Sequence, residues 1–220
     1  MVDVLNRFGH LKTPPAGPFR FIALDVETAG KTISGICQIG LCFVSNTGAV
    51  QTYSVLIEPE EPFEPFNTEL HGISADTVAG AGTFPEVYAA LFDLLNTHSL
   101  VQHSTFDEKA LTSACARYGL PMITSHWTNS VTVARQAWPA LKGAGGHGLA
   151  NLKKHLGLEF HHHDAGEDAR ASATVILRAE DVLGMPLSHL NINRQLAFQF
   201  ENRSGDQPRM AGLAKLHRSI

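Results

Sequence analysis

Short, largely apolar runs near the start of the chain, separated by polar residues, predict three strands. The first covers about residues 20–26 and is apolar until it reaches an acidic end. Residues 36–44 and 50–57 have the composition of two further strands, and the turn sequence Ser-Asn-Thr-Gly at 45–48 lies between them. We therefore expect these strands to form an antiparallel meander.

The remainder of the pattern predicts alternating helices and strands. Residues 99–103 form a short apolar run, typical of a buried strand. Apolar positions at helical spacing predict helices over residues 74–78, 84–96, 106–118, 130–138, 149–156 and 166–183. A strand meander followed by this alternation predicts a mixed α/β sheet with helices packed against it.

Composition and charge favour an ordinary globular protein. The chain has 220 residues, of which 44% are hydrophobic and 17% charged, and its formal net charge is -4. The chain therefore lacks the overall positive charge that is typical of a protein that covers a long stretch of nucleic acid. An enzyme that grips only the end of a strand neutralises few phosphates, so this charge still permits a nucleic-acid substrate.

Proline content and length divide the chain into three predicted parts. Residues 1–18 are a proline-rich leader, residues 19–183 form one domain, and residues 184–220 are a C-terminal extension. Three widely spaced cysteines form no metal-binding pattern and indicate reduced thiols. With neither a signal peptide nor a membrane-spanning run in the sequence, we expect a cytoplasmic location and no membrane partner.

The most informative chemistry lies at the end of the first predicted strand. Side chains alternate across a strand, so Asp25 and Glu27 point to one face while Leu24 and Val26 point to the other. Two carboxylates held side by side repel each other, and a hard divalent cation such as Mg²⁺ or Mn²⁺ would offset that repulsion. Taken alone, two solvated acids at a strand end are more common than a metal site.

Two further places in the sequence can likewise be interpreted either as ordinary polar structure or as part of a metal site. Asp107 is placed in the first turn of a helix that follows a buried strand, where an Asp often caps the helix or interacts with its dipole. His163 stands five residues before Asp168, which is near the start of the last predicted helix. Helix capping by Asp107, and a solvated surface loop around His163 and Asp168, are the alternatives to a shared metal site at the ends of the strands.

Together, these groups resemble the DEDDh group of the DnaQ-like 3′–5′ exonucleases, typified by the proofreading epsilon subunit of bacterial DNA polymerase III. The resemblance covers about residues 20–183, and position 164 lacks the tyrosine of the sister group. Residues 66–67 and 71–73 look like the family's loop beside the terminal nucleotide, and residues 133–135, 149–152 and 156–158 also resemble stretches of family members. The resemblance implies a ribonuclease H-like mixed five-stranded sheet, with parallel strands after the meander and helices on both faces.

The resemblance also implies a site and a reaction. Two Mg²⁺ or Mn²⁺ ions, about 3.5–4 Å apart, would be held by four carboxylates, and a histidine would act as general base on the attacking water. The product would be nucleoside 5′-monophosphates from a 3′ end. The implied metal ligands are Asp25, Glu27, Asp107 and Asp168, the implied base is His163, and the implied substrate-binding residues are Thr28, Ala29, His71, Gly72 and Phe106.

The same five catalytic residues would serve a DNA-directed or an RNA-directed enzyme. Single-stranded DNA is the expected substrate, as in a proofreading or repair enzyme, and an exoribonuclease is the alternative. A non-catalytic nucleic-acid-binding module would be expected to have lost at least one ligand, and all are present.

Three features of the sequence depart from the family pattern or compete with it. Lys31 stands where many relatives carry an apolar wedge against the terminal base, so the wedge is either absent or supplied by Ile33 or Ile36. Residues 143–148 match Gly-x-Gly-x-x-Gly but follow a predicted helix, so we interpret them as a loop rather than a dinucleotide site. Residues 161–163 are three consecutive histidines, which cannot all face one zinc ion.

The C-terminal extension contains one candidate docking peptide. The stretch from Gln195 to Phe200 is similar to the short peptide with which bacterial replication proteins bind the sliding clamp. Its alternating apolar residues are equally typical of a strand or a packing arm. The oligomeric state is left open by the sequence.

Overall fold

A five-stranded mixed sheet organises residues 11–190, the part of the chain that the computed structural model describes. The strands are β1 (Phe21–Thr28), β2 (Ile36–Val44), β3 (Val50–Leu56), β4 (Leu100–Gln102) and β5 (Trp127–Asn129). Their order across the sheet is β3-β2-β1-β4-β5, with antiparallel pairing within β1–β3 and parallel pairing of β1 with β4 and of β4 with β5. The predicted mixed α/β fold is confirmed.

Helices cover both faces of this sheet. They are α1 (Pro65–His71), α2 (Ala75–Val78), α3 (Phe84–Thr97), α4 (Phe106–Tyr118), α5 (Ser130–Ala137), α6 (Leu149–Leu156) and α7 (Ala165–Leu183). Ile22, Leu24 and Val26 of β1 pack in one buried cluster with α3 and α4, whereas Phe21 and Ala23 pack in another with α5 and α7. Asp25 and Glu27 continue the second series, so they face the side of the sheet that α7 covers.

Two elements were missed by the sequence pattern. β5 has three residues, too few to show an alternation, and the predicted elements left its position open. Residues 66 and 67, interpreted with His71 as part of a loop, lie instead in α1. That helix has no buried residue, so it lacks the apolar stripe by which a helix is recognised in a sequence.

The start of α7 packs directly against the middle of β2. Gly40 is paired with Asp25, and a Cβ atom on Gly40 would lie 2.0 Å from the carbonyl carbon of Ala165. The buried Gln38 accepts a hydrogen bond from the Ala165 amide (3.1 Å) and donates to Asp164 (3.2 Å). These contacts fix the first turn of α7 beside the acidic end of β1.

Parts of the predicted organisation lie outside the described residues. These are most of the predicted leader and extension, including the candidate clamp peptide from Gln195 to Phe200. The division at residues 18 and 183 stays a prediction, although α7 ends at Leu183. Within residues 11–190, no helix is long and apolar enough to cross a membrane.

Candidate active site

A cavity of about 430 Å³ opens at the carboxyl end of β1, next to the loop that follows β4. All five predicted catalytic side chains reach this cavity, from β1, α4, α7 and the loop before α7. Its polar lining includes Asp25, Glu27, Asp107, Asp168, His162 and His163, and its apolar rim includes Ile33, Leu70 and Phe106.

Three of the carboxylates are close enough to share a cation. Ligand oxygens of Asp25, Glu27 and Asp168 lie within 4.8 Å of one another. Asp25 and Glu27 project from one face of β1, and the first turn of α7, which passes over Gly40, brings Asp168 to the same place.

Asp107 reaches the cavity from α4. The amide of Ile22 donates to the carbonyl of Ser99 on the β4 side, and alternate residues of a strand direct their amides the same way. The amide of Val26 therefore points past the end of the short β4, where the Asp107 Oδ1 atom accepts from it at 3.1 Å. Asp107 thus links the start of α4 to β1 between the two strand carboxylates.

The start of α4 is held in place by a second buried side chain. Gln102, the last residue of β4, donates to the Glu108 carboxylate (2.9 Å) and accepts from the Glu108 amide (3.0 Å). Gln102 is 1% exposed, so this reciprocal pair is shielded from water. The sequence analysis gave Gln102 no role.

Burial and mutual repulsion disfavour negative charge on these acids. Burial, followed by the charges of Asp107 and Asp168, raises the pKa of Asp25 well above its usual value. Burial, followed by the charge of Asp168, raises the pKa of Glu27 to about 8. Burial also raises the pKa of Asp107 to about 7, although the hydrogen bond from Val26 opposes this effect. An all-oxygen donor set of this kind fits Mg²⁺ or Mn²⁺, which would stabilise the ionised carboxylates.

Two histidines, rather than one, accompany Asp168. The His163 amide donates to Asp168 Oδ2 at 2.8 Å, and His163 has a positive φ of 69°. The His162 Nδ1 atom lies 3.0 Å from both oxygens of Asp168. Burial lowers the pKa of His163, whereas the hydrogen bond to Asp168 raises the pKa of His162. The sequence analysis gave no role to His162.

The predicted substrate-binding residues are distributed unevenly. Thr28 and Phe106 line the cavity, and Phe106 is 41% exposed. His71 lies beside it, with Nε2 at 3.2 Å from the carbonyl oxygen of Thr28. Gly72 ends α1 with a φ of 77°, and Ala29 is fully buried in a separate small cluster, so neither is among the residues that line the cavity.

Helix α1 adds two residues to the cavity, of which Asn67 belongs to a stretch that resembles the family and Leu70 has no signal in the sequence. Asn67 donates to the carbonyl of Thr28 at 2.9 Å, and Leu70 lies on the apolar rim. Of the two alternatives for the missing wedge, Ile33 lies on the rim and is 40% exposed, whereas Ile36 is fully buried in the core. Lys31 lines the cavity and its ammonium group is 3.5 Å from Glu64.

The loop at residues 143–148 follows a short 3₁₀ helix (Pro139–Leu141) and precedes α6. The dinucleotide motif must instead leave a strand, so the interpretation as a loop agrees with this position.

Comparison with known proteins gives consistent results. The sequence profile of the RNase_T exonuclease family matches residues 22–176. Over 160 residues the chain is 29% identical to a PolC-type DNA polymerase III of Streptococcus suis and 30% identical to that of Streptococcus thermophilus. Each match covers 71% of this chain and 11% of the relative, so the chain spans about a tenth of the length of these polymerases.

Solved structures share the fold at lower sequence identity. The nuclease domain of 3′hExo, a DEDDh family member bound to rAMP, has a TM-score of 0.64 at 20% identity, covering 73% of this chain and 91% of that one. The zinc-bound complex of Escherichia coli Exonuclease I with single-stranded DNA has a TM-score of 0.64 at 17% identity, covering 83% and 43%. Exonuclease X with 5′ overhanging duplex DNA has a TM-score of 0.59 at 22% identity, covering 77% and 96%.

Proposed function

The chain belongs to the RNase_T exonuclease family, and on that premise we propose that it hydrolyses phosphodiester bonds at the 3′ end of single-stranded DNA. The products are nucleoside 5′-monophosphates. The observation that carries this proposal is the convergence of four carboxylates and a histidine on one open cavity. Family membership confirms the resemblance inferred from the sequence.

Each polar side chain has a role in this reaction. Asp25, Glu27, Asp107 and Asp168 would hold two divalent cations, which would supply an activated water and stabilisation of negative charge at the phosphate. His163 accepts the proton of the attacking water. Its lowered pKa keeps the imidazole neutral near pH 7, the form that can accept a proton.

The apolar rim is suited to the bases of a strand end. Ile33, Leu70 and Phe106 are each about 40% exposed beside the acidic floor. Phe66, one turn before Leu70 on α1, is 71% exposed. Bases stack on exposed aromatic rings such as those of Phe66 and Phe106 with little dependence on sequence, and Ile33 and Leu70 add apolar contacts beside them.

DNA is favoured over RNA because the sequence relatives named above are DNA polymerases and two of the structural neighbours are bound to DNA. An RNA 3′ end is the second candidate, since the neighbour 3′hExo is bound to rAMP. Association with a replication partner, including the sliding clamp through residues 195–200, stays a prediction.

One assay tests both the reaction and the substrate class. The protein is incubated with Mn²⁺ and a 3′-labelled strand, offered in parallel as single-stranded DNA, duplex DNA and short RNA. We expect labelled mononucleotide to be released fastest from single-stranded DNA. Faster release from RNA would identify an exoribonuclease instead.

Substitution of a strand carboxylate tests the site. Asp25→Asn removes a charge without changing shape, and we expect it to abolish metal-dependent release while circular dichroism stays native. Asp76→Asn, in the exposed first turn of α2, is the matched control and should keep wild-type turnover. Near-wild-type turnover of Asp25→Asn would overturn the proposal.

A further inference from the structure

Two nitrogen ligands lie beside the all-oxygen site. One ligand atom from each of His162, His163 and Asp168 can be chosen so that all three lie within 4.8 Å of one another. The two imidazole rings are stacked, with centroids 4.0 Å apart and planes inclined by 11°, so one ring has to rotate about its Cβ–Cγ bond before both in-plane lone pairs meet at one ion. The positive φ of His163 turns the chain sharply here, so two consecutive histidines reach the same carboxylate. His161 is outside this group.

The position of these residues allows an ion to enter from solvent. His162, whose side chain is 37% exposed, and His163 both line the open cavity. His162 also contacts Phe160 edge to face, with ring centroids 5.9 Å apart. The carbonyl of Phe160 accepts a hydrogen bond from Lys153 at 2.6 Å, which ties this loop to α6.

We propose that His162, His163 and Asp168 form an inhibitory site for one Zn²⁺ ion. Imidazole nitrogens favour zinc over magnesium, and two histidines with one carboxylate are a common zinc ligand set that water completes to a tetrahedron. Asp25 and Glu27 offer only oxygens and suit a harder cation. The two sites share Asp168, so the zinc ion and the cations of the carboxylate site compete for it.

The zinc ion inhibits in two ways. It takes Asp168 from the carboxylate group, and it occupies the lone pair of His163 that would otherwise accept a proton from water. The inhibition rests on the function proposed above, whereas the binding of zinc does not. A binding measurement therefore tests the site even if the exonuclease assignment fails.

Calorimetric titration of the metal-free protein with Zn²⁺ at pH 7.5, without Mg²⁺ or nucleic acid, tests binding. We expect His162→Gln to weaken zinc binding at least tenfold, while His161→Gln, the adjacent matched control, binds as the wild type does. Unchanged affinity in folded His162→Gln would overturn the proposal.

Cobalt spectroscopy tests the ligands directly. Co²⁺ added to the wild-type protein should give the intense visible absorption of a tetrahedral site with nitrogen ligands, and addition of Zn²⁺ should abolish it. His162→Asn, a second variant in case the first does not fold, should lose this band. A band of equal intensity in His162→Asn would rule out ligation by His162.

Inhibition is measured against the Zn²⁺-free rate of each variant with Mg²⁺ as the activating ion. The Zn²⁺ concentration that halves this rate should be at least tenfold higher for His162→Gln than for His161→Gln. Equal concentrations would show that zinc inhibits through the carboxylates alone, and the inhibitory role would be wrong. Absence of exonuclease activity in every protein, combined with His162-dependent binding, would refute the proposed function and leave the zinc site standing.

Discussion

At the scale of single residues, the backbone and the side chain of His163 have separate tasks. Its amide donates to Asp168 and orients that carboxylate, while its imidazole faces the cavity. Substitution of the side chain keeps the amide, so the proposed general base can be removed without releasing the carboxylate.

We expect His163→Gln to lower kcat by about 10²–10⁴, the usual contribution of a positioned general base. KM should change little, because the apolar rim that contacts the substrate is untouched. Single-turnover kinetics with Mg²⁺ measures both, with His155→Gln on the exposed side of α6 as control. A loss below threefold in kcat would mean that another group accepts the proton.

The residues that bear the chemistry could be selected from the sequence, whereas those that orient them could not. Asp25, Glu27, Asp107 and Asp168 were recognised by their order and spacing. The hydrogen bond from Gln38 to Asp164 joins residues 126 positions apart in the sequence. The approach of His162 to Asp168, six positions apart, depends on the conformation of the loop between them. One sequence signal did exist, because Gln38 is a lone amide within the otherwise apolar β2.

At the scale of elements, the site depends on how closely α7 approaches the sheet. Gly40 permits this approach, since any side chain there would meet the backbone of Ala165. The helix start carries Asp168, so a displacement of α7 moves one carboxylate away from the other three.

We expect Gly40→Ala to destabilise the protein by about 1–3 kcal/mol, the usual cost of overpacking, and to lower metal-dependent turnover at least tenfold. Urea unfolding and the exonuclease assay measure the two effects. Gly148→Ala is the matched control, because a Cβ atom there meets nothing within 4 Å. Wild-type turnover in Gly40→Ala would contradict this account of the packing.

The Glu61 carboxylate, from the segment after β3, contacts the loop between β1 and β2 and holds it in place. Glu61 accepts from the Thr32 hydroxyl at 2.7 and 2.6 Å and pairs with Arg117 at 3.1 Å. Gly35 packs against the same carboxylate. Since this loop carries Ile33 to the rim of the cavity, Glu61 positions part of the proposed base-binding surface.

We expect Glu61→Gln to raise KM three- to tenfold, on the order of 1 kcal/mol, with kcat nearly unchanged. Stability should change by less than about 1 kcal/mol, as for other partly exposed ion pairs. Steady-state kinetics on single-stranded DNA separates KM from kcat. Glu60→Gln, whose carboxylate contacts Tyr118 at 2.9 Å, is the control, and equal KM values in both variants would exclude the positioning role.

The predicted elements were accurate where the apolar run or the helical period is long. β1 and β2 are largely apolar runs of eight and nine residues, and α7, with nineteen residues, is long enough for a helical stripe to emerge. β5 and α1 lack that signal, because one is three residues long and the other buries nothing. Consequently Leu70, which α1 brings to the cavity, could not be placed from the sequence, whereas Asn67 was selected only through the resemblance of residues 66–67 to the family.

At the scale of the whole molecule, the clustered carboxyl groups of the site lower the stability of the metal-free fold. Folding removes several carboxyl groups from water and brings them together, which raises the pKa of Glu27 from 4.5 to about 8 and that of Asp107 from 3.8 to about 7. Between the unfolded and folded pKa values the folded protein binds more protons than the unfolded chain. The contribution of these two groups to stability without metal therefore falls as pH rises through that interval.

We expect the free energy of unfolding of the metal-free protein to fall by about 1 kcal/mol between pH 7 and pH 8, because one pKa unit corresponds to about 1.4 kcal/mol. The depressed pKa of His103, about 4, contributes little in this range, since an unfolded histidine, with a pKa of 6.5, is already mostly neutral at pH 7. Urea unfolding in the presence of a chelator measures the slope.

Saturating Mg²⁺ or Mn²⁺ should remove this pH dependence. A cation that binds only the folded, ionised carboxylates stabilises the protein, by about 2.7 kcal/mol at one hundred times its dissociation constant. In Glu27→Gln the metal-free slope above pH 7 should be smaller than in the wild type, because this amide does not titrate. A wild-type slope in Glu27→Gln would mean that other groups account for the pH dependence, and an unfolding midpoint unmoved by either cation would mean that the carboxylates hold no metal.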